Sequence, residues 1–482
     1  MKTKNLAINA LLNTSLNILN LIFPLITFPY ISRVLNVEGI GKYNFANTFI
    51  SYFLLIAALG IGTYAIREGA KYRDDREKIS EFVSEVFTIN IITTIFSYSL
   101  LFLCILFIPS IKKYTNIILV FSVQIIFTTL GVDWIYSIFE DYAYRTARSI
   151  FFKIISIILL FIFVKDSHDY VNYALITVFA TVGANIINYF HVKKFCSVRL
   201  VTKFNWKRHL IPILIIFGYN VSIMIFVNSD ITILGFMKND YVVGIYSVST
   251  KIYSITKSGI AAALVVTIPR LAMLYGKRKF EQYNKLFYRI FNILLILVLP
   301  SMIGLFVMSK SIVLLISGNS YIRSSSSLKI LSIALVFSIF SWLFNDCVLI
   351  PAKKEKITLI ATIFSAVINI FLNLLLIGKW SENAAAFSTV IAELFGLVIS
   401  GYYSSKIINL KKILKVNNVI SVLIGCVIIY VECNLIINGI HTTLLQVVLS
   451  VGVSVLSYIV VLIVLKNNYA LNILNILLKK II

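Results

Sequence analysis

Residues 443–465 read TLLQVVLSVGVSVLSYIVVLIVL, twenty-three consecutive residues without one charged side chain. A helix rises 1.5 Å per residue, so about 20 such residues cross the roughly 30 Å hydrocarbon core of a bilayer. Working outward from this run, apolar stretches between charge clusters give fourteen predicted spans, near 8–32, 44–66, 80–108, 116–139, 150–164, 171–191, 209–237, 242–270, 286–308, 328–350, 357–377, 384–405, 418–438 and 443–465. Together they take about 300 residues, and the connections left over are too short for an extramembrane domain of about 50 residues. Any function must sit among the helices or in their connections.

Composition agrees: 59% of the 482 residues are hydrophobic and 13% charged, against about a quarter charged in soluble domains. A soluble fold and a disordered chain are both excluded. The net charge of +24 invites a nucleic-acid reading, but the charges lie between spans. In alternate loops 31 Lys and Arg fall on one side, including Arg67, Lys71, Lys193, Lys353 and Lys411, and 10 on the other, including Arg33, Lys112 and Lys379. By the positive-inside rule this predicts a multi-pass membrane protein with both termini cytoplasmic, and no nucleic-acid partner. The start, Met1-Lys2-Thr3-Lys4 and an apolar run to about Ile31, lacks a small-residue cleavage site and reads as a retained first helix. From Lys466 onward, Leu471, Ile473, Leu474, Ile476, Leu477 and Leu478 precede Lys479-Lys480, the pattern of an interfacial helix on an anionic leaflet or of a frayed tail. Cys104, Cys196, Cys347, Cys426 and Cys433 form no CxxC and read as packing residues.

Two segments share a signature. Val37-Glu38-Gly39-Ile40-Gly41-Lys42-Tyr43 opens the second span and Asn239-Asp240-Tyr241-Val242-Val243-Gly244-Ile245-Tyr246 the eighth, so Gly41-x-Tyr43 aligns on Gly244-x-Tyr246 at an offset of 203. Both follow a span that begins on the Lys/Arg-rich side, which predicts parallel repeats of six spans. The expected division is an N-terminal lobe over 1–208, a second over 209–417, and two added helices with an amphipathic tail over 418–482.

Helical residues advance by about 100° each, which supplies a second check on the offset. Span 2 carries Asn44, Asn47, Thr48 and Ser51 on one arc; adding 203 lands on Ser247, Thr250, Lys251 and Ser254, all polar, and Lys257 and Ser258 extend the stripe. Span 1 places Asn9, Asn13, Asn17, Asn20 and Thr27 on one face, with Pro24 and Pro29 where the helix can bend. An amide in hydrocarbon needs a partner or water. Bonds between packed helices account for such stripes in one reading, and a water-filled cavity in the other; the asparagines in series and the two lysines lead us to expect the cavity.

Lys251 falls about 13 Å into span 8, near the midplane, and Lys257 about 9 Å further on. Two lysines there cost on the order of 5–7 kcal/mol unless solvated or paired. Either they are permanently ion-paired, with Asp230 or Glu393 as partner for Lys251, or they form a fixed positive site suited to a phosphate or diphosphate. The second is the expectation here, with Asp230 and Glu393 as candidate carboxylates for coupling to a proton or sodium gradient. Asp133, Glu140, Asp141, Asp346 and Glu85 are expected at headgroup level or paired with loop arginines. Glu432 has no assigned role.

Catalytic patterns are missing. His168, His191, His209 and His441 are scattered near span ends without metal spacing, and no GxxxxGK[ST] occurs. The longest outer connection, about Ser309 to Ser327, contains no carboxylate, unlike a membrane glycosyltransferase or polymerase. The chain is expected not to be an enzyme and to hold no metal or cofactor.

The segment Ser32-Arg33-Val34-Leu35-Asn36-Val37-Glu38-Gly39-Ile40-Gly41-Lys42-Tyr43-Asn44-Phe45-Ala46 resembles the opening of the Wzx-type flippases of polysaccharide biosynthesis, in the multidrug/oligosaccharidyl-lipid/polysaccharide exporter superfamily. Gly131-Val132-Asp133-Trp134, Ser229-Asp230-Ile231-Thr232-Ile233-Leu234-Gly235, Val243-Gly244-Ile245-Tyr246-Ser247 and Asn369-Ile370-Phe371-Leu372-Asn373-Leu374 extend the resemblance along nearly the whole chain. It implies an all-α, two-lobed bundle that moves an oligosaccharide repeat unit on undecaprenyl diphosphate from the inner to the outer leaflet by alternating access, for capsule, O-antigen or another exopolysaccharide. Spans 1, 2, 7 and 8 would line a central cationic cavity, with the lipid tail left in the bilayer. The expected substrate contacts are Asn13, Asn17, Asn20, Asn44, Asn47, Thr48, Ser247, Lys251, Ser254 and Lys257. Membrane lipids, a polysaccharide polymerase and a chain-length regulator are the expected partners. An ion-coupled multidrug or metabolite exporter of the same superfamily is the alternative, and two deep lysines weigh against cationic drugs. Where relatives use arginines, the lysines here would bind phosphate as point charges, without a bidentate fork.

Overall fold

The computed structural model describes residues 23–265, 267–410 and 416–471, and no strand occurs among them. The described part of α1 is residues 23–34, helical through Pro29. There follow α2 (Val37–Ala58), α3 (Ile61–Gly69), α4 (Arg76–Phe107), α5 (Thr115–Gly131), α6 (Asp133–Ile138), α7 (Tyr142–Phe163), α8 (Tyr170–His191) and α9 (Trp206–Met237). The chain continues with α10 (Asp240–Val265), α11 (Ile268–Gly276), α12 (Phe280–Ser317), α13 (Ser324–Phe344), α14 (Glu355–Trp380), α15 (Glu382–Ser405), α16 (Val416–Gly439) and α17 (Thr443–Val464). Among the described residues, 11 helical segments are long and apolar enough to cross a membrane. The expected count of fourteen is therefore not reached among them: most of span 1, with Asn9, Asn13, Asn17 and Asn20, and the tail beyond 471 lie outside the described residues. Span 4 shortens to the 17 residues of α5, and α10 carries Asp240, Lys251 and Lys257.

The helices pack with the pattern of a soluble protein turned inside out. On α17, Ser450, Ser454, Tyr458 and Leu462 recur every fourth residue and are buried, while Val448, Val451, Val455 and Val460 are exposed. On α14, Ser365, Asn369 and Asn373 point inward and Phe364, Phe371 and Leu374 outward. On α4, Ser84, Thr88, Thr94 and Ser97 are buried and Ile92, Ile95, Phe96 and Phe102 exposed. Lipid tails are as apolar as leucine, so helices in a bilayer associate through small residues and interhelical hydrogen bonds. Thr94 meets Thr129 of α5 at 2.7 Å, and Ser97 donates to the Phe53 carbonyl of α2 at 2.7 Å.

Three expected spans change shape. The span drawn over 44–66 breaks at Leu59 and Gly60, whose φ values are 44° and 77°. The break removes the helical donor to the Ala57 carbonyl, and Asn90 Nδ2 at 2.8 Å and Thr93 Oγ1 at 2.6 Å replace it. The span drawn over 116–139 breaks at Val132, φ 39°, which separates α5 from α6. The fifth, drawn over 150–164, begins at Tyr142, so Arg145 and Arg148 lie on α7 and not in a loop.

By contacts the chain divides into two compact units, Met1–Gly244 and Ile245–Ile482. In the first, α9 packs on α2 and α3, so by packing it belongs with helices that the repeat places in the other half. Packing and sequence correspondence are separate properties. In the second unit, α15 packs on α13 and α14, and α16 and α17 pack on each other and on α12.

The offset of 203 has a physical expression in the two helix starts. Asn36 Oδ1 accepts from the Gly39 amide at 2.6 Å, and Asn239 Oδ1 accepts from the Val242 amide at 3.1 Å, so equivalent asparagines cap equivalent helices. A Cβ on Gly41 would lie 1.8 Å from the Asp240 carbonyl oxygen, and one on Gly244 would lie 2.0 Å from that of Val37. Adding 203 turns 41 and 37 into 244 and 240, so the two approaches are the same contact made twice. Both glycines are required because a backbone oxygen occupies the space of a side chain.

The cysteines are free, and all but Cys104 are buried; burial pushes the Cys196 thiol, in the connection after α8, up to about 12. At the start of α4, Asp75 accepts from the amides of Glu77 and Lys78, both at 3.1 Å, and the Lys78 amide above all holds its carboxyl below the usual range.

Gly41→Ala and Gly244→Ala are each expected to destabilise the protein by roughly 1–3 kcal/mol through overpacking. Gly218→Ala, where an added Cβ meets nothing, should leave stability unchanged or raised. Thermal denaturation of the purified variants in detergent measures the difference.

Candidate functional site

The polar stripe of α2 is divided between packing and open positions. Asn44 is half-buried and returns its Nδ2 to the Ile40 carbonyl at 3.0 Å. Asn47 is exposed and Thr48 is buried. At the end of the stripe Ser51 accepts from Asn228 Nδ2 of α9 at 3.1 Å, and Tyr52 meets Thr232 of α9 at 2.9 Å. This lower part of the stripe joins α2 to α9. Asp230, two residues from each of these α9 partners, is buried and has an interaction of its own.

On α10, Ser247 is buried and Ser254 is exposed, donating to the Lys251 carbonyl at 3.0 Å. Thr250 also bonds within the helix, to the carbonyls of Tyr246 and Ser247. The two lysines differ. Lys257 Nζ lies 3.1 Å from Glu393 Oε1 of α15 and 5.7 Å from the centroid of the Tyr253 ring, whose hydroxyl bonds Ser338 of α13 at 3.1 Å. Six residues turn a helix through about 600°, so Lys251 projects about 120° away from Lys257. Lys251 is half-buried and has no ion pair among the described residues. Glu393 is thus the partner of Lys257, where the sequence offered it to Lys251. Asn13, Asn17 and Asn20 lie outside the described residues.

Away from the two stripes lies a cluster that sequence reasoning missed. His209 of α9, 1% exposed in its side chain, bonds Tyr64 of α3 through Nδ1 at 2.8 Å and Glu85 of α4 through Nε2 at 2.8 Å. Glu85 is therefore held by a histidine rather than by a loop arginine. No motif announces it: the three residues stand 145 and 124 positions from one another's partner. The other carboxylates behave as anchors. Asp133 pairs with Arg145 at 2.7 Å and Arg148 at 3.1 Å, Arg148 also donates to Asn188, and Glu140 pairs with Arg73 at 2.9 Å. Asp346 accepts from Trp342 Nε1 at 2.5 Å, and Glu432 from Ser457 at 2.7 Å. No cluster of three metal-ligating side chains occurs among the described residues.

The sequence profile described as polysaccharide biosynthesis protein matches residues 6–275, more than half of the chain. The chain belongs to that family. It is 26% identical over 235 residues to a putative O-antigen transporter of Escherichia coli (strain K12), covering 48% of this chain and 57% of that protein. The chain therefore spans little more than half the length of that relative. It is 24% identical over 402 residues to the capsular polysaccharide biosynthesis protein CapF of Staphylococcus aureus, covering 81% of this chain and 96% of that one. Among solved structures, the lipid II flippase MurJ in its inward closed conformation superposes with a TM-score of 0.73 at 16% identity, over 94% of this chain and 98% of that one. At that identity the likeness is one of fold: this member of the polysaccharide biosynthesis family is an all-helical membrane protein with the architecture of that flippase.

His209→Phe leaves the Tyr64 hydroxyl and the Glu85 carboxylate without their shared partner, and should cost about 1–3 kcal/mol of stability. In a double-mutant cycle, adding Glu85→Leu should recover part of that loss, read by thermal denaturation in detergent.

Proposed function

We propose that this protein is a flippase that carries an undecaprenyl-diphosphate-linked oligosaccharide from the inner to the outer leaflet of the bacterial cytoplasmic membrane, for assembly of a capsule, O-antigen or related polymer. What carries this reading is Lys251: an amine about 16 Å along α10 from Asp240, without an ion pair among the described residues, in a member of the polysaccharide biosynthesis family. An isolated ammonium at that depth is retained at a cost of a few kcal/mol, and an anionic substrate group offsets that cost when it arrives.

Lys251 is the first contact of the diphosphate in this mechanism, and Lys257 the second. Glu393 holds Lys257 in the substrate-free protein; the diphosphate competes for the amine, and the released carboxylate then takes up a proton or a sodium ion. Asp230 is the second candidate for such coupling. Asn44, Asn47, Thr48, Ser247 and Ser254, with Asn13, Asn17 and Asn20, bind sugar hydroxyls, and the polyprenyl tail stays in the bilayer. Alternating access carries the headgroup across, with the membrane lipids, a polymerase and a chain-length regulator as partners. The split of Lys and Arg over alternate loops supports both termini lying in the cytoplasm.

Lys251→Ala should lower surface polymer about ten- to a hundredfold, the loss of one or two charge-assisted contacts, with lipid-linked repeat units accumulating on the inner leaflet and normal amounts of protein in the membrane. Lys251→Arg should retain a large share of export, and Glu393→Gln should uncouple export from the ion gradient. Full export from Lys251→Ala combined with Lys257→Ala overturns the proposal, as does transport of a cationic dye by proteoliposomes that ignore the lipid-linked sugar.

A further inference from the structure

A second positively charged site lies away from α10, where the start of α4, the end of α8 and the chain leaving α8 meet. A cavity of about 350 Å³ there is lined by Arg76, Ser80, Tyr189, Lys193, Ser197 and Arg199 among others, three cations with no carboxylate on the wall. That volume falls in the range of ligand cavities, about 300–1,000 Å³. Of the two carboxylates next to Arg76 in sequence, Asp75 is engaged by Lys78 at 3.1 Å and by the amides of its own helix, and Glu77 does not line the cavity.

The wall is built rather than incidental. After α8 the chain runs extended along α4, and three alternate amides find three hydroxyls four residues apart: Ser197 to Ser80 Oγ at 3.1 Å, Arg199 to Ser84 Oγ at 3.2 Å, and Val201 to Thr88 Oγ1 at 3.0 Å. The match is metric, because two extended residues advance about 6.6 Å and four helical ones about 6 Å. This zipper fixes Arg199 beside the helix, and Arg76 Nη2 reaches the Lys193 carbonyl at 3.4 Å. Next in sequence to the lining residues Tyr189 and Arg199 stand Phe190 and Leu200, each 64% exposed, and Tyr189 itself is 41% exposed, large apolar side chains of the kind a bilayer interface takes up.

We propose that this cavity binds a phosphate group at the membrane surface, held by Arg76, Lys193 and Arg199 with Ser197 as a hydroxyl donor. Three like charges around one hollow repel unless an anion shares them, and a phosphate offers enough acceptors for two guanidinium groups and an ammonium. The flanking Phe190 and Leu200 favour the headgroup of an anionic phospholipid as its source, in keeping with basic pockets at helix ends that hold such headgroups. The inference does not depend on the transport reading.

The full chain, purified in neutral detergent, is titrated with phosphatidylglycerol or phosphatidylcholine, and bound lipid is counted by native mass spectrometry, with and without 20 mM inorganic phosphate, where 20 mM is roughly a large excess over a weak anion site. Phosphatidylglycerol should be retained over phosphatidylcholine, and each of Arg76→Gln, Lys193→Gln and Arg199→Gln should lower that preference roughly fivefold, while Lys193→Arg preserves it. Inorganic phosphate that displaces the lipid only from the wild type supports the phosphate chemistry; phosphate bound with the same dependence on the three cations, and no lipid preference, assigns the source to the soluble anion. As a control for overall charge, Lys353→Gln with Lys354→Gln and Lys356→Gln should change nothing. An equal loss from that control, or an unchanged preference in a monodisperse Arg76→Gln/Lys193→Gln/Arg199→Gln variant, overturns the proposal.

Discussion

Everything in this fold follows from the absence of water as a competitor around the helices. A hydroxyl or amide that would be satisfied at a soluble surface must here find a partner inside the protein, so serine, threonine and asparagine face inward and isoleucine, valine and phenylalanine outward. The alternation on α17, α14 and α4 is one rule applied three times. Individual bonds such as Thr94 to Thr129 are worth on the order of 1 kcal/mol or less. Their influence is directional, because each one sets the rotation of a helix about its axis.

The same constraint governs where helices stop. Breaking α2 at Leu59–Gly60 exposes a carbonyl that hydrocarbon cannot solvate, and the break is tolerated because Asn90 and Thr93 of α4 accommodate the Ala57 oxygen. Close approach between helices is likewise confined to places without a side chain. Gly41 and Gly244 receive each other's helix starts, which explains why a motif as short as Gly-x-Tyr survives in both repeats.

Charges within the bundle sort by the same logic. Asp133 is shared by Arg145 and Arg148, Arg323 meets Glu382, and His209 bonds both Tyr64 and Glu85, each set joining different parts of the chain. Lys257 is closed by Glu393 but stays a third exposed. Lys251, about a third of a turn away around the same helix, is the amine for which the bundle supplies no carboxylate among the described residues.

The sequence by itself determined that the chain is a bundle of membrane helices, since a run such as 443–465 has no other solvent, and it determined the repeat offset and the positions of Lys251 and Lys257, because helical periodicity is local. It did not determine the partners of those charges. Asp133 and the α7 arginines lie close enough in sequence for their pairing to be expected, but Lys257 and Glu393 are 136 residues apart, and His209 meets Tyr64 and Glu85 across comparable distances, with nothing in the local pattern to choose among several carboxylates at similar depth. Hydropathy also misses the breaks at Leu59–Gly60 and Val132, because valine and leucine in a left-handed conformation look like any other apolar residue in a run. Tertiary structure decided these points: an ion pair or a capped carbonyl depends on which helices become neighbours and how each is rotated, and that is settled by the packing of inward faces, which no single helix contains.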